Sequence, residues 1–189
     1  MKLFDEAIIL AVQAHSGQPR KGTKLPYIIH PMEAAAIAAT ITDDEEILAG
    51  AVLHDTVEDG GVTRAELEAR FGRRVADLVA AESEDKRQGQ DKKATWELRK
   101  QEALDGLARA SLPEKIIALG DKLSNMRALK RDHDALGEKV WDRFNQKDPA
   151  KHAWYYRTMG EIFAAEEGLR DTAACREYCR LVEELFGGL

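Results

Sequence analysis

His54 and Asp55 stand side by side after Ala51-Val52-Leu53, and Glu58 and Asp59 follow four residues behind each of them. On a helix, neighbours point about 100° apart and residues four apart share a face, so one turn would carry an imidazole and three carboxylates. Burying that much negative charge is expensive unless a cation answers it. Two more candidates come from distant segments. His30 precedes Pro31 at an expected helix start, and Asp121 interrupts the apolar run around Leu119 and Leu123. Two imidazoles and two carboxylates make a donor set for a borderline divalent ion such as Mn²⁺, Fe²⁺ or Zn²⁺.

The elements that must position these residues all read as helices. Phe4, Ile8, Ala11 and Val12 recur at helical period, and a loop rich in glycine and proline follows through Pro26. Pro31 suits the opening of a helix that continues through Glu33–Ile41. Thr42-Asp43-Asp44 can cap the next, which carries Ile47, Leu48, Val52 and Leu53, then the His–Asp pair, and ends at Gly60-Gly61. Thr63-x-x-Glu66 is a capping box for a short helix that stops at Phe71-Gly72. Val75, Leu78 and Val79 mark another, and a polar stretch from Glu82 to Asp91 reads as a loop. Further helices are expected over Thr95–Arg109, from Ser111 along Ile116, Leu119, Leu123 and Met126 to a charged turn around Asp132–Gly137, and over Pro149–Glu167 and Asp171–Phe186. No period-two strand is visible. The expected fold is one all-α domain over 1–189, a bundle of roughly eight to ten helices.

The chain has 189 residues, enough for one sizeable core, with 44% hydrophobic and 33% charged residues. Its net charge of −6 argues against a general nucleic-acid binder, which needs a basic face to displace counterions. The N-terminal Met1-Lys2-Leu3-Phe4-Asp5-Glu6 places acids where a signal peptide would be apolar, and the run Ala34–Ala39 is far too short for a membrane span. Cys175 and Cys179, four apart on an expected helix, read as reduced thiols. A cytoplasmic protein without a membrane partner is the expectation. Among the remaining histidines, His15 reads as a core residue, whereas His133 and His152 stand among charged neighbours and read as exposed.

These residues resemble the HD-domain metal-dependent phosphohydrolases, and within them the hydrolase domain of RelA/SpoT enzymes and the small alarmone hydrolases. The resemblance is carried by Ala14-His15-x-Gly17-Gln18-x-Arg20-Lys21, Pro26-Tyr27-Ile28-x-His30-Pro31 and Leu53-His54-Asp55-Thr56-Val57-Glu58-Asp59. It continues in Phe71-Gly72-x-x-Val75, Arg99-Lys100 and Asp121-Lys122-Leu123-x-Asn125-Met126-Arg127. The motifs occur in the family's order within about residues 1–130. The stretch from Arg20 to Pro26 is about a residue longer than the commonest family form.

The resemblance implies an HD-domain helical bundle in which His30, His54, Asp55 and Asp121 ligate one metal ion, usually Mn²⁺, and Glu58 and Asp59 hold and activate the attacking water. Arg20 and Lys21 would hold the guanine and nearby phosphates, Arg99 and Lys100 would face the phosphate side, and Asn125 would contact the nucleoside. The implied reaction removes pyrophosphate from the 3′ position of guanosine tetra- or pentaphosphate, returning GDP or GTP. A stand-alone hydrolase is expected, with the helices over 149–186 packed onto the motif-bearing part. Its partner would be a small-molecule nucleotide, with a homo-oligomer left open.

Charge distribution accommodates such a polyanion. The stretches Arg20–Lys24, Lys86–Lys100 and Arg127–Arg131 together carry +10, leaving −16 on the rest of the chain. Two other readings of the same residues stand. One is an HD-domain phosphohydrolase acting on another nucleotide, such as NADPH or an adenosine alarmone. The other is a catalytically silent nucleotide-binding protein, against which the presence of all six His, Asp and Glu candidates argues.

Overall fold

The computed structural model describes residues 2–83, 89, 91 and 93–188. Among them are nine α-helices: α1 (Leu3–Ala14), α2 (Ile29–Ala38), α3 (Glu45–Leu53), α4 (Arg64–Phe71), α5 (Arg73–Glu82), α6 (Trp96–Arg109), α7 (Leu112–Leu136), α8 (Pro149–Ala165) and α9 (Ala173–Phe186). A 3₁₀ turn covers Gly137–Arg143, and a lone antiparallel bridge joins Pro19 to Pro26. The described residues contain no strand, so the all-α expectation is met. No helix among them is long and apolar enough to cross a membrane.

The chain forms two compact units, one from residues 1–83 and 111–124, the other from 84–110 and 125–189. In the first, α1, α2 and α5 pack on α3, and α4 packs on α5. Its core mixes Leu, Ile and Val with small residues, among them Ala34, Ala35, Ala38, Ala49 and Ala51, all buried. Small side chains let helix backbones approach closely. A Cβ on Gly120 would lie 2.6 Å from the Ala34 carbonyl oxygen, and one on Gly50 would lie 2.8 Å from Ile117 Cδ1. Gly120 therefore sets how near α7 comes to α2, which decides whether Asp121 can reach His30.

Local signals place the helix starts. The Asp44 side chain accepts from the Glu46 and Ile47 amides at the start of α3, and Thr63 accepts from Glu66 at the start of α4. Arg74 of α5 also donates to both Asp44 oxygens, at 3.1 and 2.6 Å. That guanidinium, with the cap amides, holds the Asp44 carboxyl below its ordinary value. A depressed native pKa gives stability that is complete above about pH 4 and lost as pH falls through the native value. Asp44→Ala is expected to cost about 1 kcal/mol from the cap, or roughly 2–4 °C in thermal midpoint. The wild-type midpoint should decline below about pH 4 more steeply than that of Asp44→Ala; parallel declines would remove Asp44 as the cause.

In the second unit, α8 packs on α6 and α9. Trp96, Trp141 and Tyr155 are buried. His152, expected to be exposed, is buried among them. Its ring stacks on Trp141 at 5.1 Å, and its Nε2 lies 2.8 Å from the Gln146 carbonyl oxygen. Trp96, Trp141 and Phe144, whose rings contact it, all lie outside α8.

Two further boundaries differ from expectation. Helix α7 runs to Leu136 rather than turning near Asp132, and the break comes at Gly137 with its positive φ of 58°. Helix α3 ends at Leu53, so His54 and Asp55 lie in the turn beyond it rather than within the helix. The Ala51 carbonyl lies 2.8 Å from His54 Nδ1, while the Leu53 carbonyl accepts from the Thr56 amide and hydroxyl at 2.9 and 2.7 Å. Side chains thus take acceptors that the helix would need to continue.

Candidate metal centre

His30 lies in the first turn of α2, where Pro31 costs no hydrogen bond because the opening amides of a helix lack partners. His54 and Asp55 follow α3, and Asp121 sits one residue past Gly120 on α7. These segments bring four donor atoms together. His30 Nε2 lies 3.0 Å from Asp121 Oδ1 and 3.6 Å from Asp55 Oδ2. His54 Nε2 lies 3.1 Å from Asp55 Oδ2 and 3.7 Å from Asp121 Oδ1. His30, His54 and Asp121 are only 3%, 2% and 5% exposed. These three can hold one metal ion, since each offers an atom within 4.8 Å of the others.

The hydrogen bonds behind the cluster orient it. A carbonyl oxygen can only accept, so His54 Nδ1 carries the proton it gives to Ala51, and Nε2 faces the carboxylates. That Nε2 is buried without a hydrogen-bond partner. An orphaned buried nitrogen aimed between two carboxylates fits a divalent cation.

Electrostatics agree. Burial alone would lower the His54 pKa, but the charges of Asp55 and then Asp121 outweigh it and push it up to about 10. Burial would raise Asp121, yet Lys122 and the two imidazoles hold it well below the usual carboxylate range. Asp55 is lowered as well: His54 overrides the penalty of its burial. Burial pushes His30 down against the pull of Asp121. The pocket favours positive charge at its centre.

Several contributors were not assigned from sequence. The Tyr27 hydroxyl donates to Asp55 Oδ2 at 2.6 Å, and the Tyr27 ring lies tilted against His15 with centroids 4.8 Å apart. His15 is buried, as expected, and its Nδ1 lies 2.9 Å from Gln18 Oε1, while Gln18 Nε2 donates to the Asp59 carbonyl. Glu82, closing α5, has its carboxyl pushed up to about 7, first by burial and then by Asp121 against the pull of Lys122. Ser124 and Glu33 stand behind His30. Spacing could have marked the last two: Glu33 is three residues past His30, and Ser124 three past Asp121, each one turn along the same helix face.

Glu58 is half-buried and Asp59 exposed in the turn that carries His54 and Asp55. Neither belongs to the four-donor cluster, though the Asp59 charge acts on the Tyr27 hydroxyl. The Arg20 guanidinium lies over the Tyr27 ring at 5.4 Å, in a loop pinned by Arg20 N to Leu25 O and Tyr27 N to Gln18 O, both 2.8 Å. Lys21, next to it, is exposed. Arg99, Lys100 and Asn125 belong to the second unit, where Lys100 Nζ lies 5.0 Å from the Tyr155 ring centroid. Lys86, Arg87 and Lys92 of the basic stretch, and most of the loop expected over Glu82–Asp91, lie outside the described residues.

Comparison with known proteins places this geometry. The HD domain family model matches residues 7–148. The guanosine-3′,5′-bis(diphosphate) 3′-pyrophosphohydrolase MESH1 of Xenopus tropicalis is 38% identical over 133 residues, covering 68% of this chain and 70% of that protein. The enzyme of the same name from Vibrio cholerae is 37% identical over 125 residues, or 66% of this chain. The bifunctional (p)ppGpp synthase/hydrolase SpoT of Escherichia coli K12 is 35% identical over 130 residues, or 68% of this chain. The chain spans only 17% and 18% of these two bacterial relatives. Among solved structures, lmo0812 of Listeria monocytogenes superposes with a TM-score of 0.72 at 31% identity, over 84% of this chain and 99% of that one. A metazoan SpoT orthologue that hydrolyses ppGpp superposes with a TM-score of 0.73 over 100% and 98%, and at 24% identity it bears on the fold alone. The buried His–Asp cluster, the all-α fold and the family match agree: this chain belongs to the HD-domain family.

Proposed function

We propose that this chain is a Mn²⁺-dependent hydrolase that removes the 3′-pyrophosphate of guanosine tetra- or pentaphosphate, giving pyrophosphate and GDP or GTP. The observation that supports the hydrolase reading is the four-donor cluster, three of its residues buried, with its orphaned His54 Nε2. The choice of substrate is supported by the relatives that bear this activity in their names, MESH1 of Xenopus tropicalis foremost.

In this reading His30, His54, Asp55 and Asp121 would hold the ion, which would supply acidification of a water toward neutrality and an offset to phosphate charge. Glu58 accepts the proton of the attacking water, and Asp59 helps to hold that water. The water oxygen bonds to the phosphorus carried on the 3′ oxygen, the P–O3′ bond breaks, and the released 3′ oxygen takes a proton. Arg20 and Lys21 hold the guanine and its phosphates; Arg20 is braced over Tyr27 for this. Roles for Arg99 and Lys100 toward phosphate, and for Asn125 toward the nucleoside, rest on the family resemblance. The proposal includes a cytoplasmic location, for which the free thiols of Cys175 and Cys179 speak.

The test is a substrate panel. With Mn²⁺ present, guanosine tetraphosphate should be turned over to GDP and pyrophosphate in preference to NADPH or an adenosine tetraphosphate. Turnover confined to NADPH or the adenosine compound would replace the guanosine reading with that of a different nucleotide hydrolase. Binding of all three without turnover would make the chain a silent nucleotide binder.

A further inference from the structure

His30 has two ring nitrogens, and only one faces the metal cluster. The other, Nδ1, is buried 2.8 Å from Ser124 Oγ. Ser124 Oγ in turn donates to Glu33 Oε2 at 2.7 Å. A hydroxyl has one proton. Spent on Glu33, it leaves only lone pairs toward His30, so Nδ1 must be the donor in that contact. The consequence reaches the other side of the ring: neutral His30 then presents a bare Nε2 to the cluster.

That outcome is contested. Asp121 Oδ1 lies 3.0 Å from the same Nε2 and would, alone, draw the proton there, giving the tautomer that cannot bind a cation. The Glu33–Ser124 pair pulls from the opposite side. Helix α2 thus supplies a donor and, one turn on, a carboxylate; α7 supplies Asp121 and, one turn on, a hydroxyl. The crossing set by Gly120 brings the four together.

We propose that Ser124 and Glu33 are positioning residues for the metal centre, fixing His30 as the Nδ1–H tautomer and strengthening its Nε2 as a ligand. This rests on the metal-holding role given to His30 under the proposed function. Supporting hydrogen bonds of this kind change metal affinity by about 10–100-fold when removed.

The test uses the whole chain stripped of metal. Long-range ¹H–¹⁵N spectra of the imidazoles report the His30 tautomer, and calorimetric titration reports Mn²⁺ affinity. Wild type should show Nδ1–H at His30. Ser124→Ala should shift His30 toward Nε2–H and weaken Mn²⁺ binding about 10–100-fold. Ser124→Thr, which keeps the hydroxyl, should restore both, and Glu33→Ala should behave as Ser124→Ala does. An unchanged tautomer with Mn²⁺ affinity within about twofold in Ser124→Ala and Glu33→Ala would overturn the proposal, even if the thermal midpoint fell. Failure of the wild type itself to bind Mn²⁺ would overturn the metal reading and this inference with it.

Discussion

Asp55→Ala should lose metal and activity together. Its Oδ2 is the oxygen nearest His54 Nε2, and it also approaches His30 Nε2 and accepts from Tyr27. Alanine removes one of the two anionic donors and takes from the Tyr27 hydroxyl its acceptor. The remaining set of two imidazoles and one carboxylate has half the negative charge with which to hold a divalent ion. A loss of at least about 10³-fold in kcat/KM is expected, equivalent to roughly 4 kcal/mol of transition-state stabilisation. Calorimetric titration with Mn²⁺ should show the stoichiometric site abolished. A variant that still bound one equivalent tightly would remove Asp55 from the ligand set.

Glu58→Ala should separate the two properties. Glu58 shares the turn that carries His54 and Asp55 but stands outside the four-donor cluster, half-buried. As a proton acceptor it should be dispensable for holding the ion and essential for using it. Mn²⁺ affinity should stay within a few-fold of wild type while kcat falls about 10²–10⁴-fold, the usual contribution of a general base. Turnover near the wild-type rate would contradict its assigned role. Loss of metal in this variant would make Glu58 a ligand instead.

The cluster was legible in the sequence because its members are chemically out of place. His54 and Asp55 interrupt a run of Ala, Val and Leu, and Asp121 interrupts Leu119–Leu123, so no packing role accounts for them. Helix starts were legible where one side chain decides them, as at Asp44 and Thr63. The end of α3 was not, because hydrophobic period continues past Leu53 and only the side chains of His54 and Thr56 divert its carbonyls. His152 misled for a related reason: its sequence neighbours are charged, while its spatial neighbours Trp96, Trp141 and Phe144 come from elsewhere in the chain. Ser124 and Glu33 lie 91 residues apart, and their meeting depends on the close approach of α2 and α7 that Gly120 permits. Spacing ties each to a candidate ligand on its own helix, Glu33 to His30 and Ser124 to Asp121, but their pairing with each other shows only once the crossing is known.

The most direct measurement is product analysis on chelator-treated protein given guanosine tetraphosphate, with and without added Mn²⁺. The expected result is no hydrolysis without the ion, and with it GDP and intact pyrophosphate in equal amounts. Hydrolysis that proceeds without metal, or stepwise release of single phosphates, would contradict a metal-assisted 3′-pyrophosphohydrolase built on His30, His54, Asp55 and Asp121.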